Sequence, residues 1–205
     1  MARCLAGWRG LAVAICLLLI WPAVLLAEEH AATVTQMRLE QDDDGVYLSA
    51  AVEFGVPPLV EDVLDKGIAI HFVAEAELYR ERWYWTDRKI AQAVRHMRLA
   101  YQPLTRRWRL NVAPVPITGN TGFGVLVNQQ TFDSLDEALD AVKRIGRMRL
   151  GDFSAIGDDA SNSVVFRFRL DTSQLPRPIQ IGVVGLPDWN ISTERSARLP
   201  LEKLR

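Results

Sequence analysis

Apolar and polar positions alternate with a period of two along most of the chain beyond residue 32, and the pattern predicts one short strand after another. The clearest case sets Val46, Leu48, Ala50, Val52 and Phe54 against Tyr47, Ser49, Ala51 and Glu53. The same period sets Ile68, Ile70, Phe72, Ala74, Ala76 and Leu78 against His71, Glu75 and Glu77. It recurs with Trp108, Leu110 and Val112 against Arg107, Arg109 and Asn111, and with Val164, Phe166, Phe168 and Leu170 against Arg167 and Arg169. In a half-buried strand the first set of each pair faces a core and the second faces water. Further strands are predicted over 33–40, 90–101, 123–127 and 179–184, with a last short one at Trp189 and Ile191. Asp42-Asp43-Asp44-Gly45 is a hairpin turn by its Asp-Gly end, and Gln102-Pro103-Leu104 suits a tight turn. Residues 68–112 therefore read as a three-stranded antiparallel meander.

Helical spacing occurs twice. Pro57 and Pro58 open a short helix with Leu59, Val60, Val63 and Leu64 as its stripe, and Gly67 ends it. Asp133 or Ser134 caps a second, from residue 135 to about 148, with Leu135, Ala138, Leu139, Val142 and Ile145 on one face. Its acidic residues precede its basic ones, as the helix dipole favours. Seven to nine short strands and two helices predict a mostly β fold, an antiparallel β-sandwich with two short covering helices, as a single domain over 28–205.

Ahead of that domain, Arg3 and Arg9 precede an uncharged, Leu-rich stretch over 10–27 that ends in Ala27 before Glu28. A basic start, an apolar core and a small residue before the cut make residues 1–27 a signal peptide, and the mature chain periplasmic or secreted. Leu25 at the third position before the cut departs from the usual small residue, so an uncleaved leader anchored in the inner membrane is the alternative. Both cysteines, Cys4 and Cys16, lie in this leader, which leaves the mature domain without disulfide or thiolate chemistry.

Charge is unevenly distributed. Residues 80–109 hold nine Arg and Lys against Glu81 and Asp87, a net of +7, while the rest of the mature chain carries a net of −10. Within this segment the run at 80–85 reads RERWYW, where basic and aromatic residues interleave. Arg80, Arg82, Trp83, Trp85, Arg106, Arg107 and Arg109 are the candidate partner or anion-binding residues, since clustered cations on one sheet attract anions collectively. Internal neutralisation by the acidic remainder is the competing reading. Export excludes nucleic acid as the partner.

The residues give no catalytic set, no metal site and no cofactor. The Asp42–Asp44 run lacks the alternating spacing and distant Glu of a calcium loop. Gly119 to Gly124, reading GNTGFG, lacks the spacing of a dinucleotide or phosphate loop. His71 and His96 could face one another across adjacent strands, where two ordinary sheet histidines are the simpler account. Glu81 and Asp87 beside arginines suit salt bridges, because a general acid needs a raised pKa and arginines lower it.

Several segments together resemble the proteobacterial family of exported proteins called domain of unknown function 4390. They are the leader, Leu64-Asp65-Lys66-Gly67-Ile68, RERWYW with Asp87, Arg98-Leu99-Ala100-Tyr101, Phe132-Asp133-Ser134-Leu135, Leu170-Asp171 with Leu175-Pro176, and Trp189. The resemblance implies a Gram-negative envelope setting and, because such proteins are often encoded near membrane sensor kinases, a role accessory to a membrane signalling protein. It implies no activity or catalytic residue. Two function classes remain: a non-enzymatic module binding a membrane protein or anionic envelope surface, and a hydrolase or carbohydrate-binding enzyme using the aromatic strip. The residues favour the first and leave the oligomeric state open.

Overall fold

The structure, a computed structural model, describes residues 32–80, 88–115, 127–152, 162–183, 186, 189–198 and 201–203. Ten strands in these segments form two sheets. The four-stranded sheet joins β1 (Thr33–Asp42), β2 (Gly45–Glu53), β7 (Arg144–Gly151) and β10 (Leu201–Lys203) in the order β10-β1-β2-β7. The six-stranded sheet joins β3 (Ile70–Arg80), β4 (Arg88–Gln102), β5 (Arg107–Ala113), β6 (Asn128–Phe132), β8 (Asn162–Leu170) and β9 (Ser192–Arg198) in the order β6-β5-β4-β3-β8-β9. Every pair is antiparallel except β1 with β10, which run parallel with Leu39 opposite Leu201. The predicted meander is β3-β4-β5, and the fold is the mostly β, sandwich-like arrangement that the alternation predicts.

The inward phase of each alternating strand fills one continuous core. Phe54, just past β2, brings its ring within 5.7 Å of Phe72 on β3 and 5.3 Å of Phe168 on β8, and those two rings are 5.8 Å apart. Three aromatic rings thus tie the end of the four-stranded sheet to the centre of the six-stranded one, burying apolar area that dominates the stability of such a domain. Helix α1 (Pro58–Asp65) adds Val60, Val63 and Leu64 to this core, while Leu59 stays 39% exposed and does not belong to its stripe. Gly67 ends α1 at φ +78, a left-handed conformation that favours glycine. Helix α2 (Leu135–Lys143) is capped by Ser134, whose hydroxyl accepts the backbone N–H of Glu137, and it buries Ala138, Leu139 and Val142.

The Asp42 to Gly45 turn forms a hairpin with Asp42 opposite Gly45. Two arginines of β7 reach this turn. Arg147 pairs with Asp42 and lays its guanidinium 4.3 Å from the Tyr47 ring centre. Arg149 donates to the Asp44 carbonyl at 3.0 Å and pairs with Asp152, and the Tyr47 hydroxyl donates to Asp44 at 2.6 Å. The aspartates therefore hold the two sides of the sheet together.

Several elements differ from the sequence prediction. The second helix stops at Lys143 rather than near 148, because Arg144 turns extended and β7 pairs with the open edge of β2. Ile145 stays buried but on a strand, and a bulge that gives Arg147 a φ of 37 lets Ile145, Met148 and Leu150 all face inward. The predicted strand at 179–184 is α3 (Arg177–Val183), where the N–H groups of Ile179 and Gln180 donate to the carbonyl of Pro176 at 2.9 and 3.0 Å. Pro178 in its first turn suits a helix start. Trp189 and Ile191 are buried outside regular strands, and the last large strand, β9, follows them. Strand β6 was not anticipated either. Of the strand predicted at 123–127 only Val127 is described, and it is not in a strand. Glu81, Arg82, Trp83, Tyr84, Trp85 and Asp87 lie outside the described residues.

Candidate functional site

On the outer face of the six-stranded sheet the strand registers set polar side chains in rows. One row runs His71, Arg98, Asn111 and Gln129 across β3, β4, β5 and β6. A second runs Ala100, Arg109 and Thr131, and a third runs Arg169, Val73, His96 and Ala113. This face is not uniformly wet, for Val73, Ala100 and Ala113 are buried in it.

Towards the other end of β3 sits the buried carboxylate of Glu77, 6% exposed. Lys89 donates to its Oε1 at 2.8 Å, while Arg167 and the Tyr79 hydroxyl donate to Oε2 at 2.6 and 3.0 Å. Arg167 also pairs with Glu194 at 2.7 Å, and Lys89 donates to Gln92 at 2.9 Å. The hydrogen bonds from Lys89 and Arg167 hold the Glu77 carboxyl at about 2 against the opposing effect of burial. A carboxylate kept ionised in this way cannot serve as a general acid near neutral pH, and its geometry suits holding β3, β4 and β8 together. Lys89 reaches it because the register shifts between Leu78 and Tyr79, leaving Ile90 as the extra residue and turning Lys89 to the outer face.

Nearer the β4–β5 turn the balance of charge reverses. Arg98, Arg106 and Arg109 have no ion-pair partner among the described residues. Three buried polar atoms on this part of the face, His71 Nε2, Arg109 Nε and Asn111 Oδ1, also have no hydrogen-bond partner there. Buried polar atoms are ordinarily satisfied, so their clustering marks a surface with unmet hydrogen-bonding capacity. Burial pushes His71 down to about 4, helped by the charge of Arg98 and opposed by Asp171. Burial likewise lowers His96. Both imidazoles are therefore neutral near pH 7. They share a face but stand one pair out of register, His71 opposite Arg98 and His96 opposite Val73.

The sequence-derived site residues thus separate. Arg106 stands exposed in the β4–β5 turn at a φ of 52, next to the fully exposed Leu104. Arg107 pairs with Asp133 at 2.9 Å, both side chains more than half exposed. Arg109 lies half-buried on the outer face, and Arg80 lies at the far end of β3 opposite Arg88 and Asn162. Arg82, Trp83 and Trp85 fall outside the described residues. Arg98 joins the cluster on register alone. Among the described residues no group of three or more His, Cys, Asp or Glu is placed to hold a metal ion.

A family model described as Domain of unknown function (DUF4390) matches residues 29–198. No curated protein and no solved structure matches the chain. The family match runs from just ahead of β1 to the last residue of β9 and covers well over half of the chain, so this protein belongs to the DUF4390 family.

Proposed function

We propose that this protein is a non-enzymatic binding module of the bacterial envelope that docks on an anionic membrane surface through the β4–β5 end of its six-stranded sheet. The carrying observation is that Arg98, Arg106 and Arg109 lie on this part of the sheet without an acidic partner among the described residues, while Lys89 and Arg167 are neutralised by Glu77. Arg107 adds charge at the same turn through an ion pair exposed enough to exchange partners. Leu104, fully exposed at the tip, supplies an apolar contact for the boundary between headgroups and acyl chains. A cluster of cations within about 8 Å of a surface acts collectively at physiological ionic strength. An acidic face of a membrane signalling protein is the other anionic partner that this chemistry fits.

Residues 1–27 are the export signal in this reading, supported by their charge and apolar pattern and by a family match that starts at residue 29. Intact-mass measurement of protein recovered from the envelope should give a chain that begins near Glu28; a full-length, membrane-integral chain would replace cleavage with anchoring.

For the surface itself, the mature protein should co-sediment with vesicles containing anionic lipid, release as salt rises, and ignore vesicles of neutral lipid. Arg106→Glu combined with Arg107→Glu should weaken that binding by about tenfold or more and leave thermal unfolding nearly unchanged. Salt-insensitive binding, or none, defeats the membrane reading. Capture of an acidic membrane protein with no vesicle binding would transfer the surface to that partner.

A further inference from the structure

A second feature lies on the opposite side of the same sheet. Between the inner surfaces of β4, β5 and β6 and the facing α2 and β7 is a cavity of about 890 Å3. Met97, Leu110, Val112, Ala141 and Met148 give it apolar walls, and its polar lining includes three arginines and no acidic residue. Volumes of this order are those of small-molecule sites.

The position of Arg95 sets this cavity apart. Arg95 occupies the inward phase of β4, directly opposite the fully buried Ala74, with Ala93 and Met97 as its neighbours in that phase. The positions flanking it are apolar, and an alternating strand calls for an apolar residue there. Its Nη2 donates to the carbonyl of Gly146 at 2.7 Å, at the bulge of β7. Its remaining N–H groups have no partner among the described residues, and no carboxylate pairs with it. The other two arginines of the lining differ, because Arg144 pairs with Asp140 and Arg149 with Asp152. A half-buried guanidinium without a counter-ion is costly, and an anion bound beside it removes that cost.

We propose that this cleft binds a single-chain anionic amphiphile, whose carboxylate pairs with Arg95 and whose aliphatic body lies against Met97, Leu110, Val112 and Met148. The guanidinium presents a planar fork that matches a carboxylate, and the walls accept hydrocarbon. A small free anion would leave those walls in contact with water, and a neutral hydrocarbon would leave Arg95 uncompensated. The site is independent of the outer basic face, whose residues Arg98, Arg106 and Arg109 do not line it.

The test is titration of the mature protein with palmitate, hexadecanol and acetate, followed by calorimetry. Palmitate should bind saturably at one per chain, and hexadecanol and acetate at least about tenfold more weakly, the size expected when a charge-assisted bidentate pair or the apolar contact is lost. Arg95→Gln should weaken palmitate by a similar factor, while Arg106→Glu with Arg107→Glu should leave it unchanged. Val112→Trp, which keeps Arg95 and fills the cleft, should also abolish binding and decides the matter if Arg95→Gln fails to fold. Equal binding of palmitate and hexadecanol, or palmitate binding that survives Val112→Trp, overturns the proposal, as does the absence of saturable palmitate binding.

Discussion

Replacing Phe168 with alanine is expected to cost about 3 to 5 kcal/mol, the usual range for a large aromatic removed from a close-packed core. Phe168 is 1% exposed and stacks against both Phe54 and Phe72, so its removal leaves a hole bounded by one ring from the segment just past β2 and one from β3. Neither ring can follow without pulling the backbone that carries it, which keeps the void from collapsing. The adjacent substitution, Arg167→Ala, should cost about 1 to 2 kcal/mol, more than an ordinary surface change because it removes charged hydrogen bonds to Glu77 and Glu194. Urea unfolding of the two variants beside the parent measures the difference. A larger loss at Arg167 than at Phe168 would mean that β8 is paired one residue out of register, since a single-residue slip exchanges the two faces of a strand.

How far the sequence discloses such a structure depends on whether an element has an apolar face of its own. Strands β2, β3, β5 and β8 are legible because each carries an alternating apolar set that faces the core, although Tyr47, Val73, Glu77 and Ala113 of the opposite phase are buried as well. Strands β6 and β9 are polar at nearly every position, NQQTF and STERSAR, and exist because β5 and β8 offer unpaired backbone groups at the sheet edges. Nothing local marks them. In α3, Ile179, Ile181 and Val183 have strand propensity, but Pro178 and the Pro176 carbonyl start a helix there, leaving Ile181 78% exposed. In β7 the helical stripe continues through Ile145 by coincidence of spacing, and pairing with β2 overrides it.

The candidate site was legible in its charge and not in its pairing. Nine bases against two acids between residues 80 and 109 announce a basic sheet region. They do not say that Arg98 and Arg109 stand without partners while Lys89 is neutralised. That distinction depends on the bulge at Ile90 and on β8 lying beside β3, both of which involve residues distant in sequence. Arg95 was visible as one more arginine of the basic segment. Its place in the cleft follows from the phase of β4 relative to β3 and from the chain turning extended at Arg144.

Glu77→Ala is expected to cost about 2 to 3 kcal/mol, because it removes the common acceptor of Lys89, Arg167 and Tyr79 and leaves two cations beside one another on β4 and β8. The loss stays below that of a fully buried ion pair, since the Lys89 and Arg167 side chains are 45% and 40% exposed and can hydrate. Glu194→Ala, which touches only the exposed side of Arg167, should cost under about 1 kcal/mol. Acid titration gives an independent measure of the same group. With a folded pKa near 2 against an ordinary value of 4.5, Glu77 contributes its charged-state stability above about pH 4.5 and loses it as the pH falls towards 2. Below the ordinary value the unfolded chain takes up the proton first, so acid favours unfolding. Glu77→Gln lacks that group, and its unfolding free energy should fall less steeply than the parent's between pH 4.5 and 2 while lying below it at pH 7. Parallel curves for parent and variant across that window would mean that Glu77 is not held ionised by Lys89 and Arg167, and the outer face would then lack the internal neutralisation that sets Arg98, Arg106 and Arg109 apart.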